Sequence, residues 1–372
     1  MQAPDQKEML DGIRQWVEIE SHTADFAGVN RMMDACAEGW RQAGAKVERI
    51  AGRDGYGDHL VVSSAWGSDG PCVLVLCHLD TVHPRGTLKD LAFRVDGDRV
   101  YGPGIYDMKG GAYLAFAAYQ AIARAGRTTS LPLRFIYSSD EEVGSPTSRA
   151  LIEAHARNAK YVLVTEPARD GGRIVTSRKG VGRFVLTAHG RPAHSGAKHE
   201  AGRSAILEVA RHVVDIEAMT DYARGVTFNI GQIEGGTADN VVPARCEATI
   251  DMRVRSFADA EHFEQKFRNL QPYNPDVTVQ VTGGLNRPPY EMSPAGAKLF
   301  AHAREQASAL GIDLVGIATG GGSDGNFTAH FVPTLDGLGV DGDGAHTMHE
   351  HMLLASLEPR MNLQRRLFET LV

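Results

Sequence analysis

An imidazole and a carboxylate, His78 and Asp80, directly follow a run of branched apolar residues at positions 73–76. A continuous apolar run predicts a strand buried on both faces, as in a parallel sheet that helices cover. Because residues two apart on a strand point to the same side, a strand through both positions carries the two side chains together. This arrangement suits a metal-binding imidazole whose second nitrogen is held by a carboxylate. A core histidine followed by a capping aspartate explains the stretch equally well.

A glycine-rich segment at residues 102–111 contains another carboxylate, Asp107. The segment resembles a dinucleotide fingerprint, but Asp107 takes the third glycine position, where it would repel a pyrophosphate, and no buried strand leads into the turn. A nucleotide site is therefore disfavoured. Asp107 could simply cap the helix that follows it, or its carboxylate could bridge two cations.

Acidic residues also follow two other predicted buried strands. Glu141 and Glu142 stand beside a third acid in the run 140–142, and Glu166 follows the next strand along the chain. Consecutive carboxylates repel one another unless a cation or an exposed loop relieves the repulsion. Taken alone, the run is also compatible with a solvated loop, and Glu166 with an ordinary turn.

These donors are expected to converge, because open parallel sheets place their sites outside the carboxyl ends of the strands. A histidine-rich segment at residues 344–351 adds further donors, and it is not a helical HExxH motif because Leu353 stands where a histidine would be needed. Two histidines and three carboxylates without a thiolate suit two zinc ions that share a bridging carboxylate and a water, about 3.5–4 Å apart. A carboxylate left off the metals can be the general base.

The periodicity of apolar residues predicts an α/β fold in which strands alternate with helices around a mostly parallel, helix-covered sheet. A strand–helix–strand–strand–helix–strand order within residues 179–287 predicts a ferredoxin-like unit with an antiparallel sheet and one open face. A proline-containing stretch at 286–289 reads as the linker back. The smaller unit is therefore expected to be inserted into a larger domain formed by residues 1–178 and 288–372.

Composition excludes several classes of function. A length of 372 residues favours two domains, and a formal charge of −7 argues against non-specific nucleic-acid binding. No stretch approaches the roughly 18 apolar residues that span a bilayer, and no signal peptide is expected at the N-terminus. The four cysteines form no CxxC pair, which argues against a thiolate site or a disulfide framework and favours a reducing cytoplasmic setting.

Several segments together resemble the zinc aminoacylase/carboxypeptidase family, which includes glutamate carboxypeptidase, acetylornithine deacetylase and succinyl-diaminopimelate desuccinylase. The matching segments, in the family's order, are HLDTV with HPRG, YGPGIYDMKGG, SSDEEVGS, TEP, GRPAHSG, ADNVVPARCEATIDMR and GAH…E. The resemblance covers nearly the whole chain, and it identifies the inserted unit as a dimerisation, or lid, domain.

The resemblance implies roles for residues in the larger domain. Asp80 would orient His78, and Glu141 would be the catalytic base. The metal ligands would hold two zinc ions per chain, or cobalt or manganese in their place. These ligands would be His78, Asp107 as the bridge, Glu142, Glu166 and His346.

The resemblance also implies roles in the lid domain. His194 would reach the active site of a partner subunit in a homodimer, where it could stabilise an oxyanion. Asn240 and Arg253 would bind substrate, and Arg287, in the return linker, would be a second carboxylate-binding arginine.

Two departures concern the C-terminal histidines. Thr347 replaces the family's usual serine and His351 its tyrosine, but the spacing from His346 to Glu350 still favours His346 as the ligand. His83, which lies past the predicted strand, matches no ligand position.

The function expected from these residues is amide hydrolysis by a metal-activated water, with Glu141 moving the proton. The expected substrate is a small N-acyl amino acid or peptide-like molecule from which a C-terminal amino acid is released, as in the glutamate-carboxypeptidase-like branch. An N-acyl amino acid deacylase is the alternative enzyme. An inactive dimeric ligand-binding homologue is the non-enzymatic alternative. Neither nucleic acid nor membrane is an expected partner.

Overall fold

A computed structural model describes residues 3–67 and 70–372 and divides the chain into two compact units. The large unit is formed by Met1–Ser177, Met292–Thr319 and Ser323–Val372, and the inserted unit by Arg178–Glu291 and Gly320–Gly322. Residues 1, 2, 68 and 69 fall within the segment expected for the larger domain, and they lie outside the described residues.

Helices occur in both units. They are α1 (Gln6–Val17), α2 (Phe26–Gln42), α3 (Gly110–Arg124), α4 (Arg149–Ala156), α5 (Ala205–Glu217), α6 (Phe257–Arg268), α7 (Pro294–Ser308) and α8 (Leu357–Thr370). Strands alternate with them along the chain. They are β1 (Lys46–Ile50), β2 (His59–Ser63), β3 (Cys72–His78), β4 (Arg94–Asp96), β5 (Arg99–Tyr101), β6 (Leu133–Ser138), β7 (Ala159–Val164), β8 (Ile174–Arg178), β9 (Gly180–His189), β10 (Thr227–Gly235), β11 (Arg245–Val254), β12 (Thr278–Arg287), β13 (Gly316–Thr319), β14 (Thr334–Leu335), β15 (Gly342–Asp343) and β16 (His351–Leu353).

The main sheet of the large unit has the strand order β1-β2-β6-β3-β7-β14. Strands β6, β3, β7 and β14 are parallel, whereas β2 and β1 are added antiparallel at one edge. Every residue of β3 is buried, and alternate residues contribute to two different apolar clusters, Val73 and Val75 to one and Leu74 and Leu76 to the other. The expected mostly parallel, helix-covered sheet is confirmed.

The sheet of the inserted unit is antiparallel, with the order β10-β11-β9-β12. Its elements follow the expected order β9-α5-β10-β11-α6-β12, which is the ferredoxin-like arrangement. Apolar residues of β9 and β11 alternate with polar ones and pack with α5 and α6 into a separate cluster that includes Leu186, Phe228, Ile250 and Phe267. The sheet therefore buries one face, as the alternation predicted.

The prediction that Arg287 lies in a linker is wrong. Strand β12 continues through Asn286 to Arg287, which pairs with Val181 of β9 after a register shift beyond Leu285. The stretch contains glycine, asparagine and proline neighbours that normally signal a turn, but the pairing with β9 outweighs this local preference. Arg287 is buried, with 4% of its surface exposed.

The two ends of the inserted unit are adjacent to one another. The N–H of Arg178 donates to the carbonyl of Tyr290, and the N–H of Tyr290 donates to the carbonyl of Arg178, both at 2.9 Å. The chain therefore enters and leaves the unit side by side.

Candidate metal centre

His78 is positioned by the end of the buried strand β3 and is itself buried, with 1% of its side chain exposed. Its Nε2 lies 3.3 Å from Asp107 Oδ1 and 3.7 Å from Glu166 Oε1. Glu166 comes two residues after β7, the parallel neighbour of β3, so the shared sheet edge brings the two side chains together.

Asp107 lies between two histidines. Its Oδ1 contacts His78 as described, and its Oδ2 lies 3.4 Å from His346 Nε2. His346 Nε2 also lies 3.1 Å from Glu142 Oε2. Two donor groups result, His78–Asp107–Glu166 and Asp107–Glu142–His346, and the donor atoms within each group lie within 4.8 Å of one another. Asp107 belongs to both groups, as a bridging carboxylate must.

Asp80 has two contacts with His78 and a second set with the acidic turn. The Nδ1 of His78 lies 3.0 Å from the backbone carbonyl of Asp80 and 3.5 Å from its carboxylate Oδ1. The carboxylate also accepts hydrogen bonds from the N–H groups of Glu141 and Glu142, each at 3.2 Å, and from the hydroxyl of Thr23 at 2.7 Å. Asp80 therefore fixes the turn that carries both glutamates as well as the imidazole.

Glu141 lies beside His78 of the first donor group and belongs to neither group. Its Oε2 is 4.0 Å from His78 Nε2, and about a tenth of its side chain is exposed. A carboxylate that reaches the site but binds no ion is in the right place to exchange a proton with a water there.

The electrostatics of the site favour added positive charge. Burial by itself lowers the pKa of His78, but hydrogen bonds to Asp107 and Asp80 outweigh burial and raise it well above its usual range. Hydrogen bonds to Asp107 and Glu142 raise the pKa of His346 to about 11. Burial raises the pKa of Glu142 above its ordinary value in spite of its contact with His346. The carboxylates around the two imidazoles thus favour positive charge at this site.

The residues present fit divalent cations. The set consists of imidazole nitrogens and carboxylate oxygens, which suit zinc, cobalt and manganese. Glu142 Oε1 is buried and has no hydrogen-bond partner among residues 3–67 and 70–372. A buried carboxylate oxygen without a partner is costly, and a cation beside it would remove that cost.

The inserted unit holds the other predicted residues and brings two of them together. His194 is exposed and its backbone pairs with Val241, while the carbonyl of Asn240 accepts a hydrogen bond from Ser195. The Nδ1 of His194 accepts hydrogen bonds from the N–H groups of Gly196 and Ala197, both at 3.1 Å.

Arg253 and Arg287 flank the same residue from opposite sides, because both pair with Val181 of the central strand β9. The guanidinium of Arg253 is held by Asp251, through Nε at 2.6 Å and Nη2 at 2.9 Å. Within this sheet the two arginines are therefore close to each other in register.

Comparison with known proteins identifies the family. The sequence profile of peptidase family M20/M25/M40 matches residues 74–370. The chain belongs to this family. Carboxypeptidase G2 of Pseudomonas sp. (strain RS-16) is 28% identical over 98% of this chain and 89% of the relative. Succinyl-diaminopimelate desuccinylase of Acinetobacter baylyi is 28% identical over 90% of this chain and 92% of the relative.

Solved structures of M20 peptidases share the fold. A dinuclear metal-binding M20 peptidase from Bacillus subtilis superposes with a TM-score of 0.71, covering 98% of this chain and 99% of that one at 13% identity. The M20 chain described here is a hydrolase that acts on amide bonds, as the resemblance implied, and the family is metal-dependent. Within the described residues, no helix is both long and apolar enough to cross a membrane.

The sequence did not predict one pair of buried residues beside the two donor groups. Glu350 is fully buried, and its Oε2 lies 2.5 Å from Nε2 of His83, a residue that matched no ligand position. The pair joins positions 267 residues apart in the chain, so no local pattern could reveal it. The only available signal was the presence of Glu350 four residues after His346.

Proposed function

We propose that the protein is a dinuclear zinc-dependent hydrolase that releases a C-terminal amino acid from a small peptide-like or N-acyl substrate. The observation that carries this proposal is the position of Asp107, which turns one carboxylate oxygen to each of two histidines. His78 and Glu166 would complete one cation site, and Glu142 and His346 the other. Cobalt or manganese could substitute, because the same donors accept them.

Two divalent cations in these sites would supply a water of lowered pKa and polarise the amide carbonyl of the substrate. Glu141 would take a proton from a water at the site and later deliver it to the departing amine. Asp80 supports this role, because its carboxylate holds the backbone N–H of Glu141 and leaves the side chain directed toward the site. The same carboxylate thus accepts the proton from water and donates it to the leaving amine.

His194 is suited to donate a hydrogen bond to an oxyanion. Because its Nδ1 accepts two backbone N–H groups, its proton is placed on Nε2, which becomes the exposed donor. Arg253, oriented by Asp251, and Arg287 on the other side of Val181 would hold a substrate carboxylate, and Asn240 would add a polar contact. We assign His194 to the active site of a partner subunit.

A homodimer through the inserted unit is supported by an unpaired edge and an apolar surface. Strand β10 is an edge strand of its sheet, and most of it is exposed. On α5, Leu207 and Val214 are 54% and 68% exposed and stand seven residues apart, on one face of the helix. An open strand edge beside an apolar helix face is suited to a second copy of the same surface.

Cleavage at a C-terminal amino acid is favoured over deacylation by the longer match to carboxypeptidase G2, which spans 98% of the chain against 90% for the desuccinylase. The equal identity of 28% to both keeps an N-acyl amino acid deacylase as the second candidate. A cytoplasmic location is our proposal as well, since the four cysteines are free and buried.

A substrate panel tests the proposed activity. The zinc-loaded protein is offered folate-like amides of glutamate, dipeptides, N-acetyl amino acids and N-succinyl amino acids, and released amine is measured, with Glu141→Ala as the blank. We expect the glutamyl amides and dipeptides to give the highest kcat/KM. A preference for N-acetyl or N-succinyl substrates would establish the deacylase. Activity of wild type that no chelator inhibits would overturn the metal-dependent mechanism.

A further inference from the structure

The buried carboxylate of Glu350 uses both oxygens to hold the turn that ends at Asp107. Oε1 accepts hydrogen bonds from the N–H groups of Tyr106 and Asp107, both at 2.9 Å. Oε2 accepts one from the N–H of Gly104 at 3.0 Å and lies 2.5 Å from Nε2 of His83. Three hydrogen bonds to residues 104–107 leave the backbone of this turn little freedom.

Glu350 also connects three segments that each carry a metal-site donor. His83 lies five residues after His78, the turn ends at Asp107, and Glu350 itself follows His346 by four residues. All of these contacts are within the large unit. A displacement of the carboxylate would therefore shift Asp107 relative to both histidines.

The contacts require a carboxylate specifically. Each oxygen faces at least one N–H donor, so a side-chain amide of the same shape would turn an NH2 group toward a backbone N–H. Glu350 Oε2 has room to accept a second hydrogen bond, and His83 can donate it because its Nε2 can carry a proton. A glutamine at position 350 therefore preserves volume but loses the pattern of acceptors.

We propose that Glu350, held by His83, is a positioning residue that sets the bridging carboxylate of Asp107 between the two cation sites. The proposal rests on the dinuclear site of the proposed function. It assigns no direct contact with substrate to either residue.

The main test is Glu350→Gln in the full-length chain. We expect the affinity for Zn²⁺, measured by chelator competition, to fall by about 10- to 100-fold, as for other residues that orient metal ligands. The visible spectrum of the Co²⁺-loaded variant should differ from wild type, because the geometry around the ion changes. In the metal-free protein, hydrogen exchange at the amides of residues 104–107 should be faster than in wild type.

The chain offers a matched control in the inserted unit. Glu208 is buried, accepts hydrogen bonds from the N–H groups of Tyr273 at 2.6 Å and Asn274 at 3.1 Å, and lies 3.3 Å from His212. Glu208→Gln should reproduce the loss of a buried carboxylate without changing the Zn²⁺ affinity or the Co²⁺ spectrum. Equal changes in both variants would show a general loss of structure and would overturn the proposal.

His83 variants keep the test decisive if Glu350→Gln fails to fold. His83→Gln retains a side-chain N–H donor near Glu350, so it should keep more Zn²⁺ affinity than His83→Ala. Equal affinity in the two variants, or wild-type affinity in Glu350→Gln, would overturn the positioning role. If wild type itself binds no Zn²⁺, the proposed function fails, while faster amide exchange in the metal-free variant would still support the contact of Glu350 with the turn.

Discussion

Both units of the chain contain a buried glutamate that accepts backbone N–H groups and stands beside a buried histidine, yet the two pairs support different things. Glu350 and His83 hold the turn that ends at Asp107, whose carboxylate contacts two further histidines. Glu208 and His212 hold residues 273 and 274 in the loop before β12. Among the described residues, the groups able to hold a metal ion all lie in the large unit.

The same arrangement of hydrogen bonds confers rigidity in both units, but only in the large unit does it support groups able to hold a metal ion. A buried carboxylate with backbone donors immobilises a turn wherever it occurs, because each unmade hydrogen bond would cost about 1–3 kcal/mol. The two turns differ in the side chains that they carry. The turn held by Glu350 ends at Asp107, a member of both donor groups, whereas the turn held by Glu208 carries no member of either group.

Substitutions of one proposed catalytic residue in each unit should cause the largest losses of activity. Glu141→Ala removes the proposed base in the large unit, and His194→Ala removes the proposed oxyanion donor in the inserted unit. We expect Glu141→Ala to abolish turnover with zinc content near wild type. If His194 acts across a dimer, mixing equal amounts of the two variants and allowing exchange should restore about a quarter of wild-type activity.

The control for the mixing experiment is a chain that carries both substitutions. The doubly substituted chain, mixed with itself, should remain inactive, because every site then carries both lesions. No recovery in the mixture, in spite of subunit exchange verified by mass spectrometry of tagged chains, would mean that His194 acts within its own chain or not at all. Substantial activity of Glu141→Ala alone would refute the base assignment.

Removal of the metal should destabilise the large unit and leave the inserted unit unchanged. This effect should be smaller than the loss of activity in the variants above. An ion present at 100 times its dissociation constant stabilises the folded form by about 2.7 kcal/mol. Chelation should therefore accelerate hydrogen exchange in β3 and in residues 102–107, but leave β9 and β11 unchanged. Returned Zn²⁺ should reverse the change. Equal loss of protection in both units would contradict the restriction of the donors to one of them.

A smaller effect is expected from pH at His59, a buried residue of β2. Its Nε2 lies 3.0 Å from Thr147 Oγ1, and its Nδ1 faces the N–H of Ser139 at 3.2 Å. Burial lowers the pKa of His59 against the opposing effect of nearby carboxylates. Those carboxylates are Asp140, Asp324, Asp80 and Asp58.

The sign of the effect follows from the lowered pKa. The unfolded chain binds the proton more readily than the folded one, so the full stabilisation is present above the unfolded value of about 6.5 and is lost as the pH falls below it. His59→Asn, which keeps an acceptor for Ser139, should flatten this dependence in denaturant titrations between pH 7 and pH 5. A slope as steep as that of wild type would assign the dependence to other groups.

Much of the fold was predictable because its signals are local. The apolar run at residues 73–76 specified a strand buried on both faces, and the alternation in β9 and β11 specified a sheet with one open face. The short strands β15 and β16 were not predicted, because two or three residues carry no periodicity. Arg287 was misplaced because pairing with β9, a distant partner, overrides the turn residues around it.

The donors of the site were predictable for a different reason. His78, Glu142 and Glu166 follow strands that share a sheet edge, so topology alone brings them together. The assignment of Asp107 as the bridge and of His346 as a ligand came from the resemblance, since nothing local indicates which distant loop meets that edge. The second role of Asp80, holding the N–H groups of Glu141 and Glu142, depends on side-chain direction, and the sequence does not encode that as a pattern.

The paired ends of the inserted unit have an evolutionary consequence. Since Arg178 and Tyr290 hydrogen-bond to each other across the points of entry and exit, a short turn between them could replace everything in between. Insertions of this kind are tolerated because the host chain needs no rearrangement to accept or lose them. The inserted segment is thus bounded by a closed pair of backbone hydrogen bonds, which is the geometry that lets such a segment be gained or lost as one piece.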